Sequence, residues 1–484
     1  MRLIKLPSSL KNMLTYAVSL FMAKGISLIM LPFVARYLSP DQLGQLELLA
    51  TTTVFFSLLV GFAMHENLYR FVGEIKDTVK QFKKVSELYT YAIILSIMAG
   101  SLVTIGLFIT PSIQGIFSST DIALVCIVLA FESALGISTA WLRFQDRATM
   151  FFAVSMLSTA IQIIGVVAVL LFSPTVTHIF AVGVLTAIVQ LIVLHRVNRF
   201  QWRWAGVKNL LSLLSYSIPL MLSAIVAFGL SGAEKWIIGY SVSVESLGYY
   251  AVAAKFSLGM CILVQPFGMW WMPKRFNALN LKGIDYTTQI TQIGILYIAI
   301  LAIVVGSASQ VFIMLALPDA FSNAANLVSG VIAVALFKEL AELVNIGILN
   351  HKKTHWVLNI NMACTLTGLA LCGFLSLQDR FTGLGIWAVI ISIMIAQILR
   401  AILLLTFSQR LQPLPYHNHA LLLIMLNTIG CLILSFVTDK TFWLILVALF
   451  GTILNMAIAY RFRFFSSLGL PTLKLPFQKQ TQGA

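Results

Sequence analysis

Charge is what this sequence has least of. Asp, Glu, Lys and Arg make up 10% of the 484 residues, and only 17 residues are acidic. Soluble domains carry about 25% charge, so an ordinary water-soluble globule is excluded. Cysteine is sparse too. The five are Cys126, Cys261, Cys364, Cys372 and Cys431, all within apolar runs. None has a partner in a polar loop, so neither a disulfide nor a metal site is expected. There is no G-x-x-x-x-G-K-[ST] phosphate loop, which excludes ATP hydrolysis by this chain itself. A nucleophile elbow and a zinc-enzyme motif are missing as well, so the chain reads as no enzyme and as needing no cofactor. The roughly ten-residue alternation of a membrane barrel strand is absent, which leaves helices as the spanning backbone.

Apolar length is abundant instead: 59% of the residues are hydrophobic. Runs of about 20 apolar residues recur from end to end, each long enough to cross ~30 Å of hydrocarbon as a helix. Fourteen are read, at 12–34, 43–64, 86–109, 119–142, 152–173, 176–195, 210–231, 246–271, 288–315, 323–349, 355–376, 382–408, 418–438 and 441–460. The expected fold class is therefore an all-α integral membrane protein. Arg2, Lys5 and Lys11 precede the first run as in a signal peptide. That run is too long and lacks a small-residue cleavage site, so a retained first span is expected.

The net charge of +15 raises the question of nucleic acid. Its distribution answers no. With the N-terminus inside and the side alternating at each span, cytoplasmic segments hold 24 Lys or Arg. The opposite side holds four: Arg36, Lys235, Arg380 and Lys440. This positive-inside asymmetry places both termini in the cytoplasm and leaves no basic face for nucleic acid. Lys24, Lys255, Lys338 and Arg400 are left over, and all four fall inside spans.

A weak internal repeat is visible. Residues 14–20 (LTYAVSL) resemble 214–220 (LSYSIPL), an offset of 200, and "SPDQLG" (39–44) resembles "SVESLG" (243–248), an offset of 204. Six spans separate the copies, and an even number preserves orientation, as in parallel-repeat transporters. The expected organisation is a six-helix lobe over 1–205, a second over 206–410, and two further helices with a cytoplasmic tail over 411–484.

An ionisable group at mid-membrane costs at least ~2.5–3.5 kcal/mol. Lys24 lies about 12 residues from the inner end of its span, roughly 18 Å at 1.5 Å per residue, beyond the reach of a snorkelling side chain. Lys255 is similarly deep. Both face an aqueous cavity, or are buried in ion pairs, or belong to spans whose ends are drawn wrongly. In "FKELAELVN" (337–345), Lys338 and Glu342 are four residues apart on one face, flanked by Glu339. They either neutralise each other or supply a carboxylate that exchanges H⁺ or Na⁺ during transport. Glu132 stands alone in the fourth span as a second coupling candidate. Arg400 can partly snorkel towards the inner end. Glu47, His65 and Glu66 lie near span ends, where interface solvation accounts for them. Trp270 and Trp271, ahead of Pro273-Lys274-Arg275, read as an interfacial belt.

Two segments carry a family resemblance. "EKWIIGYSVSVESLGYYAVAAKF" (234–256) resembles the seventh-to-eighth span signature of polysaccharide flippases: an acidic-basic pair (Glu234, Lys235), an apolar pair and Gly239, then Glu245, Gly248, Tyr250, Ala253 and Lys255. Lys24, "LPFVARYLSPDQLGQLELL" (31–49) and "NLYRF" (67–71) resemble the same group. The group is the Wzx-type branch of the multidrug/oligosaccharidyl-lipid/polysaccharide (MOP) exporter superfamily, which also holds the MATE transporters. The usual Asp of the pair is Glu234 here. The resemblance implies two lobes around a central cavity, moving by alternating access. It implies a bacterial cytoplasmic-membrane flippase for undecaprenyl-diphosphate-linked oligosaccharide, serving O-antigen, capsule or exopolysaccharide and working beside a glycan polymerase and chain-length machinery. Related lipid II flippases use basic cavity residues on the first and eighth spans, where Lys24 and Lys255 fall. A multidrug or small-molecule cation antiporter on the same fold is the alternative, disfavoured by a cationic cavity. A membrane polymerase or ligase is disfavoured by the short external loops.

Overall fold

The computed structural model describes residues 15, 18, 21–22, 25–110, 117–272, 274–377, 383–438 and 440–465. Lys24 and eight other residues of the first expected span, 12–34, lie outside these described residues. The described residues are mostly helical, with no strand among them. It begins with α1 (Leu31–Tyr37), α2 (Pro40–Gly61) and α3 (Met64–Asn67), followed by a π-helical turn at Leu68–Val72. Next come α4 (Thr78–Ile109), α5 (Ser119–Phe144), α6 (Ala148–Phe172), α7 (Val176–Asn198) and α8 (Val207–Phe228). The short α9 (Ala233–Ser241) leads to α10 (Val244–Trp271), α11 (Arg275–Leu281) and α12 (Gly283–Ala316). The last are α13 (Ser322–Leu343), α14 (Ile346–Asn350), α15 (Thr354–Leu377), α16 (Ile386–Leu411), α17 (Asn418–Val437) and α18 (Thr441–Arg461).

Twelve of these helices are long and apolar enough to cross a membrane. The 22-residue α13 has the length but carries Lys338, Glu339 and Glu342 near its C-terminal end. The apolar run expected to continue to 349 breaks after α13, where Asn345 turns its side-chain carbonyl to the Arg275 guanidinium at 3.1 Å. Helix starts follow ordinary capping chemistry. Ser39 and Gln42 form a capping box ahead of Pro40, and Ser118 with Asp121 forms another at α5. Asp77 caps α4 by accepting from Val79 and Lys80.

The chain forms two compact units. The first comprises Met1–Lys255, Ala316–Ala324 and Asn361–Ile393, and the second Phe256–Leu315, Ala325–Ile360 and Met394–Ala484. The core of the first unit lies between α4 and α5, where Leu88, Tyr91, Ala92, Ala134, Ile137 and Trp141 are buried. The segment after α7 is laid along α4 as an extended strap. Its backbone N–H groups at 201, 203 and 205 donate in turn to the hydroxyls of Ser86, Thr90 and Tyr91. In the second unit, helices are joined by interhelical polar contacts, since lipid supplies little hydrophobic drive between them. Asn427 donates to Asn455, and Asn455 to Thr428, across α17 and α18. Gln310, Ser329 and Ser435 link α12, α13 and α17.

The repeated hexapeptides do the same work in both places. Ser39 Oγ accepts from the backbone N–H of Gln42 at 3.3 Å, and Ser243 Oγ from that of Ser246 at 3.0 Å. The glycines that close each hexapeptide bring the N-terminal ends of α2 and α10 into backbone contact. A Cβ on Gly44 would fall 1.9 Å from the Val244 carbonyl oxygen, and one on Gly248 would fall 1.9 Å from that of Pro40. Positions 40 and 44 thus meet 248 and 244, the reciprocity of a two-fold contact between equivalent elements.

Candidate functional site

The glycine contact sets α2 beside the start of α10, with α9 leading into it, and so decides which charges meet. One turn beyond Gly44, the Glu47 carboxylate accepts a hydrogen bond from the Lys235 ammonium at 2.5 Å. Both side chains are about one-fifth exposed, at 22% and 21%. Trp236 fastens α9 to α2 by donating its indole N–H to Thr52 Oγ1 at 3.0 Å, with its ring against Phe55. The adjacent Glu234 is buried and accepts from the Tyr250 hydroxyl at 3.3 Å. Lys255 follows on α10, half-buried and within electrostatic reach of both Glu47 and Lys235. Lys235 thus pairs directly with Glu47, while Lys255 feels the same carboxylate only at longer range. A cavity of about 420 Å³ opens beside the pair, lined by Thr51, Val54, Ala224 and Phe228 together with Glu47 and Lys235. Its walls are apolar and its one ionic edge is this pair.

A second polar cluster lies in the other unit. The Arg400 guanidinium donates to the Glu342 carboxylate and, at 3.4 Å, to Gln397. The Lys338–Glu342 pair expected from the i, i+4 spacing is not the one formed. A guanidinium with a side chain only 10% exposed has more need of a counter-ion than the half-buried Lys338. Glu339 is hydrogen-bonded by the Cys261 thiol and lies within electrostatic reach of Lys338 and Arg400. Arg275, expected as an interfacial cation, is buried at 6% exposure. Trp271 is buried as well, while Trp270 stays at the surface, so only one of the two indoles fits a belt.

Glu132 sits half-buried on α5. His65 pairs with Glu66 at 3.3 Å. The "NLYRF" segment starts at the fully buried Asn67 and coincides with the π-helical turn, a deformation common at functional sites. Just before it, Phe62 and Ala63 are consecutive left-handed residues. No group of three His, Cys, Asp or Glu among the described residues could hold a metal ion.

Sequence inspection missed Glu47 and Arg275 because each looks like an ordinary charge at a span end. The equivalence of the two hexapeptides could have brought Glu47 to the 234–255 motif, and nothing local marks Arg275.

The profile of the family described as "Polysaccharide biosynthesis protein" matches residues 33–266. That stretch contains Glu47, Glu234, Lys235, Gly248 and Lys255. Among solved structures, the lipid II flippase MurJ in an inward closed conformation superposes with a TM-score of 0.67 at 15% identity, over 94% of this chain and 99% of that one. The chain has a MurJ-like and MATE-like fold. An inward-facing multidrug-resistance MATE transporter of the MOP superfamily matches with a TM-score of 0.57 at 14% identity, covering 81% of this chain and 94% of that one. A MOP-superfamily transporter from Pyrococcus furiosus with a binding pocket of reverse polarity matches with a TM-score of 0.53 at 14% identity, over 83% of this chain and 95% of that one. No curated protein sequence matches significantly. The twelve helices long and apolar enough to cross a membrane support a multi-pass membrane protein.

Proposed function

We propose that this protein flips undecaprenyl-diphosphate-linked oligosaccharide from the inner to the outer leaflet of a bacterial cytoplasmic membrane by alternating access, supplying O-antigen, capsule or exopolysaccharide synthesis. The observation that carries the reading is the Lys235–Glu47 pair at the edge of a cavity of about 420 Å³, with the Lys255 ammonium within electrostatic reach of that carboxylate. A lipid tail can stay in the bilayer while its hydrated head crosses. The diphosphate cannot enter hydrocarbon, and cations in a medium of reduced dielectric offset its desolvation. Lys255 would take the diphosphate or an anionic sugar, and Lys24, Lys338 and Arg400 would be further cationic contacts for the head group. Glu234, Lys235 and Gly248 would hold the frame around it. Glu132, Glu339 and Glu342 would couple the movement to an H⁺ or Na⁺ gradient. Both termini would lie in the cytoplasm, near a glycan polymerase.

The likeness to multidrug transporters supports a second reading, cation export. Excess positive charge opposes it, since cationic drugs are repelled. A deletion strain separates the two. The flippase reading expects loss of surface glycan with unchanged drug tolerance; intact glycan with drug hypersensitivity would overturn it.

A further inference from the structure

In the second unit the Arg400 guanidinium holds the Glu342 carboxylate, Arg275 lies within electrostatic reach of it, and the exposures of the paired side chains are unequal. Arg400 has a side chain 10% exposed, while that of its partner Glu342 is 49% exposed. Arg275 is buried, donates one N–H to Asn345 Oδ1 at 3.1 Å and lies 4.9 Å from the Phe276 ring centre. Its Nε donates to no described residue. The Glu342 carboxylate also lies within electrostatic reach of Arg275. A carboxylate with access to water can leave; a nearly buried guanidinium cannot follow it. With Glu342 gone, Arg400 would keep Gln397 and the electrostatic reach of Glu339, but it would lose its direct carboxylate, a loss that favours another anion in the vacated position. Phosphate oxygens match the planar fork of arginine and carry more charge than a carboxylate.

We propose that Arg400 and Arg275 form an oxyanion subsite that Glu342 closes in the absence of substrate, and that the diphosphate of the lipid-linked glycan displaces this carboxylate. Return of Glu342 then expels the diphosphate. The carboxylate acts as a built-in competitor that keeps binding reversible, a role separate from cation coupling. The inference rests on the flippase reading for the identity of the anion.

The test is calorimetric titration of purified full-length protein in nanodiscs with inorganic pyrophosphate. Wild type should bind weakly, and Glu342→Gln at least about tenfold more tightly, because the competitor has lost its charge. Glu342→Gln combined with Arg400→Lys keeps the charge but loses the fork, and should return to the wild-type affinity or below. Without anion, Glu342→Gln should melt below wild type, and pyrophosphate should restore it. Equal or weaker binding by Glu342→Gln overturns the proposal, as does a gain that survives Arg400→Lys. The gain should persist in Lys255→Ala. A gain in a protein that fails to flip lipid-linked glycan would support the subsite and remove the flippase reading. Flipping without the gain would do the reverse.

Discussion

Replacing Gly44 with alanine would set a Cβ 1.9 Å from the Val244 carbonyl oxygen, 2.9 Å from its carbon and 3.0 Å from the Gly248 nitrogen. All three atoms are backbone, so no side chain can swing aside. Restoring ordinary contact at 3.4 Å requires the ends of α2 and α10 to part by 3.4 − 1.9 = 1.5 Å. Overpacking of this kind costs about 1–3 kcal/mol, and a rigid backbone neighbour puts it at the upper end. Gly248→Ala meets Pro40 in the same way and should cost a similar amount. The two effects are coupled, because a separation forced by one methyl already makes room for the other. The double variant should cost well under the sum, with a coupling of about 2 kcal/mol. Gly106 in α4 is the control. A Cβ there has nothing within 4 Å, and alanine should be neutral or stabilising by up to ~1 kcal/mol from helix propensity. Unfolding of the purified variants in detergent gives the four numbers of the cycle. Tolerated alanines at 44 and 248, or strict additivity, would refute the close reciprocal contact.

Glu47→Gln leaves Lys235 without its paired carboxylate and removes the negative charge within reach of Lys255. The pair is about one-fifth exposed, so the loss should be about 2 kcal/mol, below the 3–5 kcal/mol of a fully buried pair. Glu47→Lys with Lys235→Glu should recover part of it in the same unfolding assay, and no recovery would speak against a direct pair. In α17 and α18, Asn455→Ala removes the bonds to Asn427 and Thr428. Interhelical bonds of this type average about 0.6 kcal/mol, with a maximum near 1.7, and a double-mutant cycle with Asn427→Ala measures the share.

Hydropathy made most of the fold legible, because the length of an apolar run sets the length of a spanning helix. The runs read at 176–195 and 441–460 are helices at Val176–Asn198 and Thr441–Arg461. The same measure flags Lys255, since an ammonium group inside an apolar run is conspicuous whatever its neighbours are. It is blind to partners. Glu47 looks like a solvated span end until Gly44 and Gly248 bring α2 against α10. Glu342 looks like the partner of Lys338 because an i, i+4 pair is local, whereas Arg400 comes from a helix 58 residues away in sequence. Arg275 looks like a loop cation because burial at the foot of a helix is decided by packing, and Asn345 is 70 residues distant.

The central claim is that the Lys255 ammonium carries an anionic head group through the protein. Its most direct measurement is flipping of undecaprenyl-diphosphate-linked oligosaccharide in proteoliposomes, comparing wild type with Lys255→Ala and Lys255→Arg at matched reconstitution. Removing one charge partner from a desolvated anion costs about 2–5 kcal/mol, so alanine should slow flipping at least tenfold while arginine retains most of the rate. Wild-type flipping by Lys255→Ala would contradict the account.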